Sequence, residues 1–142
     1  MGLFSKKQQG PRLTPDGFLL PDNPQPAFND GPGTFLYNVV GESNYNANLR
    51  AVLEEEGIDV ASGGEFETIA MLLAEPQNKF DPNAVAVVMN TRRVGYIPKE
   101  DAKDLSPQLQ AMAQNGQVLV VKAVIGWGDP MIIGVRLDLE VL

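Results

Sequence analysis

The run "NAVAVVM" (83–89) constrains this chain more than any other stretch. Successive side chains of a β-strand point to opposite faces, so a half-covered strand alternates apolar with polar. Here Ala84, Ala86 and Val88 form one set and Val85, Val87 and Met89 the other, and both sets are apolar. The run reads as a short strand buried on both faces. "NT" (90–91) follows as a tight turn, and "RRVGYIP" (92–98) as the returning strand of a hairpin.

Around this hairpin the signals are regular from Thr34 onward. "TFLYNVVG" (34–41) reads as a strand and "FETIAMLLAE" (66–75) as another. "NYNANLRAVLEEEG" (44–57) reads as a short helix, capped by an Asn, with Leu49, Val52 and Leu53 on one face and Gly57 as its stop. Glu54, Glu55 and Glu56 oppose the helix dipole, which predicts a frayed end. "KEDAKDL" is helical, and Ser106-Pro107 reads as the restart of a helix, with Ser as cap and Pro in the first turn. Leu109, Met112 and Ala113 form its apolar stripe and Gly116 ends it. "QVLVVKAVIGW" (117–127) and "MIIGVRLDLEV" (131–141) are long strands joined by "GDP". The order β-α-β-β-β-α-β-β is rich in hairpins and poor in crossover units. It predicts a mainly β, α+β fold: a small, mostly antiparallel barrel with two helices packed on it.

Residues 1–33 differ. They hold six of the eleven prolines and five of the fourteen glycines, and no period of 2 or 3.6 is sustained. They read as a flexible Pro/Gly-rich arm, ahead of a domain from 34 to 142. "GFLL" (17–20) and Phe28 are apolar enough to dock, either on the parent domain or on a partner.

Composition removes much chemistry. Without Cys or His there is no disulfide, thiolate nucleophile, Ser-His dyad or Cys/His zinc site. Carboxylates remain as ligands for magnesium or calcium, though "EEE" (54–56) reads as a solvated helix face. No GxxxxGK[ST] phosphate loop occurs. No run of 18 apolar residues and no signal peptide is seen, so a soluble, cytoplasmic protein without membrane contact is expected. The net charge of −7 argues against sequence-blind coating of nucleic acid, yet leaves room for a small site gripping a few phosphates or one end. The arm carries Lys6, Lys7 and Arg12 against Asp16, Asp22 and Asp30, so the whole excess lies in 34–142.

The stretch "EPQNKFDPNAVAVV" (75–88) joins a polar, aromatic segment to the buried strand. Asp81-Pro82-Asn83 reads first as a turn, with Asp81 capping backbone N–H groups and Phe80 covering the barrel edge. Taken with "VVGESNY", "RVGYIPKEDA" and "GVRLDLE", in that order along the chain, it resembles the HIRAN domain over roughly residues 36–140. The family's elements stand here as Glu75, Asn78, Phe80, Asp81, Asn83, Ala84 and Val85, then Val94, Gly95, Tyr96 and Ile97.

That resemblance implies an OB-like β-barrel that binds DNA without catalysis, metal or small-molecule cofactor, in the best understood members at a single-stranded 3′ end. It also implies work in repair or replication of DNA beside a helicase or nuclease. A free 3′ hydroxyl donates to a carboxylate, whereas a phosphate in its place is repelled, so one Asp selects for an end and against a continuous strand. Mapped by motif, Asp81 receives the hydroxyl, Phe80 stacks on a base, and Asn78 bonds sugar, base or backbone. Tyr45, with Ser43 and Asn44 before it, forms the opposite wall. Tyr96 and Lys99 meet the phosphates. End-binding members carry an Arg and an aromatic where Ser43 and Asn44 stand, so one phosphate contact and one stacking surface are missing from that stretch.

Other residues read as scaffold: Asn83, Ala84, Val85 and Val87 as structural, Gly41 and Gly95 as sites of close backbone approach, Trp127 as core or else a stacking platform, Arg92 and Arg93 as solvated beside the turn or else extending a phosphate track, and Tyr45 and Tyr96, outside the mapped roles, as half-buried barrel residues. Two further functions compete with DNA binding. One is a protein-interaction module working through the arm and the acidic surface. The other is a metal-dependent phosphodiesterase built on Glu75, Asp81 and a distant carboxylate.

Overall fold

The computed structural model describes residues 10–129 and 132–140. Three short strands come first, β1 (Arg12–Leu13), β2 (Leu19–Leu20) and β3 (Gln25–Asn29). They are followed by β4 (Tyr37–Asn38), a 3-10 turn (Glu42–Tyr45), α1 (Asn46–Glu55), β5 (Gly64–Ala74), β6 (Val85–Met89), β7 (Arg92–Tyr96), α2 (Lys99–Gln114), β8 (Gln117–Asp129) and β9 (Ile132–Leu137). From β4 onward this is the order predicted.

The main sheet runs β4-β9-β8-β5-β6-β7, antiparallel along this path, with β3 added off it on β8. It curls into a half-barrel of the OB-like, α+β kind. Val40 spans the seam, exchanging both backbone hydrogen bonds with Tyr96 at 2.9 Å, while Val39 N–H reaches the Val135 carbonyl at 3.2 Å. Gly95 permits this closure, because a Cβ there would lie 2.3 Å from Val39 Cγ1. Gly41 serves differently: its φ of 74° opens the 3-10 turn, and a Cβ on it would meet nothing within 4 Å.

All five residues of β6 are buried, as the double apolar alternation requires. Val85, Val87 and Met89 face the main core, built with Leu49, Val52 and Leu53 of α1 and Leu105 and Leu109 of α2. Ala86 and Val88 face a second cluster with Leu73, Val118, Val120 and Phe18. The cover on that second face comes from the arm. Phe18 is 4% exposed at the tip of the β1–β2 hairpin, held by Thr14 N–H to its carbonyl and by its own N–H to Thr14 Oγ1. Its burial contributes about 1.5–3 kcal/mol.

From residue 10 onward the arm, expected to be flexible, carries three short strands, of which β3 pairs with the domain. Turn residues gave it no period, but tertiary pairing supplies the order. β3 lies parallel to the first part of β8 (Gln25 on Gln117, Asn29 on Val121), in line with β9 on the second part. Residues 1–9 of the arm lie outside the described residues. Of its two apolar candidates, Phe18 docks on the parent domain and Phe28 is 67% exposed.

Other expectations need correction. The strand expected over 34–41 is reduced to Tyr37–Asn38 and the Val40 bridge; Phe35, at φ 52°, breaks it. No Asn side chain caps α1, because the 3-10 turn feeds straight into it with Tyr45 at the cap position. Its C-terminal glutamates are used, with Glu55 paired to Arg92 at 2.7 Å and bonded by Asn90, and Gly57 ends the helix at φ 76°. Ser106-Pro107 does not restart a helix, and α2 runs unbroken through Pro107. The apolar stripe Ala102, Leu105, Leu109, Ala113 crosses the proline and holds the helix on the core despite one missing N–H. Ser106 is buried, with Oγ accepting from Gln110 Nε2 at 3.1 Å.

Candidate functional site

The loop between β5 and β6 is closed at its base by Glu75 N–H on the Ala84 carbonyl, 2.9 Å. Two tight turns fill it. Asn78 N–H bonds the Glu75 carbonyl and Ala84 N–H the Asp81 carbonyl, each at 3.0 Å. The Asn78 amide organises the tip: Oδ1 accepts from the N–H groups of Phe80 (2.8 Å) and Asp81 (3.0 Å), and Nδ2 donates to Glu75 Oε1 (2.8 Å). Asp81 Oδ1 in turn accepts from Asn83 N–H at 2.9 Å, an Asx turn of the kind the residue types predict. So the turn reading holds for one oxygen of Asp81. The ring beside it does not cover the barrel edge, because Phe80 is 94% exposed.

Glu75 is the hub of the site. It is 4% exposed, and three side chains satisfy it. Oε1 takes Asn78 Nδ2 and the Tyr96 hydroxyl (2.9 Å); Oε2 takes Arg93 Nε (2.8 Å) and Nη2 (2.6 Å). A carboxylate this buried is tolerated only when paired and fully bonded. Burial and the bond to Glu75 hold the Tyr96 hydroxyl protonated well above the ordinary tyrosine range. For Arg93, burial works against the charge, but the bond to Glu75 and its negative charge outweigh it and raise the affinity for the proton.

Arg93 and Tyr96 reach the same carboxylate because of a β-bulge. Val88 pairs with Arg93 but Val87 with Gly95, so β7 carries one extra residue there. The extra residue shifts the parity and brings positions 93 and 96 to one face. Arg93 was expected to be solvated; instead its guanidinium lies 4.6 Å from the Phe18 ring centroid and 6.0 Å from that of Tyr96.

Across from the loop, the Tyr45 ring lies 6.2 Å from that of Tyr96, tilted by 55°. Ser43 and Asn44 are exposed on the same 3-10 turn. Lys99 is the first residue of α2, and with Asp81, Asn83, Glu100 and Lys103 it lines a cavity of about 300 Å³. Neither Lys99 nor Lys103 has an ion-pair partner among the described residues. The fold thus brings Asp81 to Lys99, Asn78 to Phe80 and Asp81, and Tyr45 to Tyr96. It turns the Tyr96 hydroxyl onto Glu75. A larger cavity, about 610 Å³, lies over Gly126, Gly134 and Arg136 and meets the 3-10 turn only at Glu42.

Sequence reasoning missed the tie of Arg93 and Phe18 to the loop and the hub role of Glu75. Gly95 is the one cue, since a glycine inside a strand often marks a bulge and this one adjoins the extra residue of β7. The phosphodiesterase reading loses one of its carboxylates, because both Glu75 oxygens are occupied by protein donors. No group of three acidic residues able to hold a metal occurs among the described residues. No helix among them is long and apolar enough to cross a membrane.

A family model described as the HIRAN domain matches residues 32–126 of the 142. No curated protein and no solved structure matches the chain.

Proposed function

The chain belongs to the HIRAN domain family, whose members are generally nucleic-acid-binding modules, and on that premise we propose that it grips single-stranded DNA at a free 3′ end. Binding, rather than catalysis, is the business of such a domain. One observation carries the finer reading: an almost fully exposed Phe80 stands next to Asp81, whose carboxylate opens on a cavity shared with two unpaired lysines.

Each part has a physical task. Phe80 offers a π-face to the terminal base, and Tyr45, braced by Tyr96, offers a second wall; stacking of this kind is worth about 1–3 kcal/mol per base and tolerates any sequence. Asp81 Oδ1 is engaged with Asn83, and its second oxygen takes no bond among the described residues, which leaves an acceptor for a sugar hydroxyl. Lys99 and Lys103, one helical turn apart, supply positive charge for the phosphates behind it. They stand in for the cation that the Ser43–Asn44 stretch lacks. In this reading Asn78 shapes the loop rather than touching ligand, and Tyr96 contributes its ring. The protein would act in repair or replication of DNA, beside an enzyme such as a helicase or nuclease.

The deciding experiment is fluorescence anisotropy with short single strands ending in a 3′ hydroxyl or a 3′ phosphate, at low salt where phosphate contacts are strongest. Tighter binding of the hydroxyl end is expected. Equal affinity for both ends would remove the end-reading role of Asp81.

A further inference from the structure

We infer that Arg93 is the positioning residue of the end-binding loop, and that through it the β1–β2 hairpin is a working part of the nucleic-acid site. The inference rests on the reading of loop 75–84 as that site.

The contacts form an unbroken chain. The Asp16 carbonyl accepts from Arg93 Nη2 at 2.7 Å, and the Phe18 ring lies 4.6 Å from the guanidinium. Arg93 places Nε and Nη2 on Glu75 Oε2, at 2.8 and 2.6 Å. The other oxygen of Glu75 holds Asn78 Nδ2 at 2.8 Å. The opposite end of that amide holds the backbone N–H groups of Phe80 and Asp81. From hairpin to recognition tip, each link is a hydrogen bond or a ring contact between named atoms. A planar guanidinium suits the junction, because its fork serves a carboxylate and a carbonyl at once while its face lies under a ring.

Arg93 is poorly suited to hold a phosphate itself. Its side chain is 20% exposed, and its Nε and Nη2 already point at Glu75 and Asp16. Its effect on ligand passes through Glu75. Remove Arg93, and Glu75 is left as a buried charge with no cation, which must take a proton or swing outward. Swinging outward releases Asn78 Nδ2, and protonation leaves it a weaker, uncharged acceptor; both loosen the tip. Removing Phe18 acts on the same chain from the other end: the guanidinium loses its lid and gains freedom to turn into water.

The test uses the full chain and three variants, Arg93→Ala, Arg93→Lys and Phe18→Ala, each measured in two ways. Hydrogen exchange read by NMR reports the N–H groups of Phe80 and Asp81, which are protected by Asn78. Anisotropy reports the preference for a 3′ hydroxyl over a 3′ phosphate. In Arg93→Ala and Phe18→Ala, exchange at Phe80 and Asp81 should quicken about tenfold or more, while amides of β5 and β8 change by less than about twofold, the signature of a local opening. Arg93→Lys keeps the charge without the fork and should fall between parent and Ala. The hydroxyl preference should drop in the same order. If Arg93→Ala does not fold, Arg93→Lys and Phe18→Ala carry the test. Unchanged exchange at the two tip amides, or a uniform rise over the whole chain, overturns the inference. Quickened tip amides in a protein that reads neither end support the positioning chain and count against the end-binding reading alone.

Discussion

The rings of Tyr45 and Tyr96 meet at 6.2 Å and 55°, and Tyr96 is itself held by Glu75. A tilted pair like this is a stable aromatic arrangement, and one member is anchored. Tyr45 is thus braced by an anchored ring, which suits the wall proposed for it. Tyr45→Ala should weaken binding of a short single strand by about 1–3 kcal/mol, roughly five- to 150-fold, while Tyr45→Phe keeps most of the affinity. Equal loss in both variants, measured by anisotropy, would assign the effect to the hydroxyl instead of the ring.

Asp81→Asn separates the turn role of Asp81 from the end-reading role proposed for it. The amide keeps an oxygen to accept from Asn83 N–H, so the turn survives and Tm should barely move. What disappears is the negative charge. Binding to a 3′-hydroxyl strand should weaken and relative binding to a 3′-phosphate strand improve, with discrimination shrinking by about 1–2 kcal/mol. An unfolded variant, or one with the parental ratio, would make Asp81 purely structural.

Gly95→Ala tests the seam. The new methyl would sit 2.3 Å from Val39 Cγ1 and 3.0 Å from the Val40 carbonyl, which is bonded to Tyr96 N–H and has little freedom to move. Overpacking of this kind costs about 1–3 kcal/mol, a fall of several degrees in Tm. Gly134→Ala is the control: a Cβ there meets nothing within 4 Å, and thermal melting should stay near or above the parent.

Alkaline pH should report on two half-buried phenols. Tyr37 is held protonated above its ordinary range by burial and by its bond to Asp101, and Tyr96 by burial and its bond to Glu75. In the unfolded chain both lose their protons near the ordinary value of 10.0. Above that pH the folded state binds more protons than the unfolded one, so stability is full below about pH 10 and falls as pH rises. Melting curves from about pH 8 to about pH 11 should show this slope, shallower in a Tyr37→Phe, Tyr96→Phe double variant. An identical slope in that variant would place the titration elsewhere.

The barrel was legible because its signals are local and repeated. Two apolar sets in one strand can only mean two covered faces, and β6 has them. The loop was legible because Asn78, Asp81 and Asn83 are turn residues with fixed backbone tasks, and those tasks are found. What stayed hidden depends on distant pairings. Phe18 gave no hint that it would cover Val88, 70 positions away in the chain, because its neighbours carry no period. Arg93 looked solvated because it sits beside a tight turn; the cover comes from Phe18, and the bulge brings Tyr96 onto the same face. Pro107 read as a helix start because its own cost is local, whereas the stripe that overrides it spans the whole of α2.

The parallel partnership of β3 and β8 has a consequence for how the chain is made. Gln25 pairs with Gln117, and everything from the 3-10 turn to α2 lies between them. During synthesis the N-terminal strand leaves the ribosome long before its partner exists, and closing a loop of that length carries an entropic cost that no local contact offsets beforehand. Docking of β3 therefore belongs to the end of assembly, once β8 is laid down on β5.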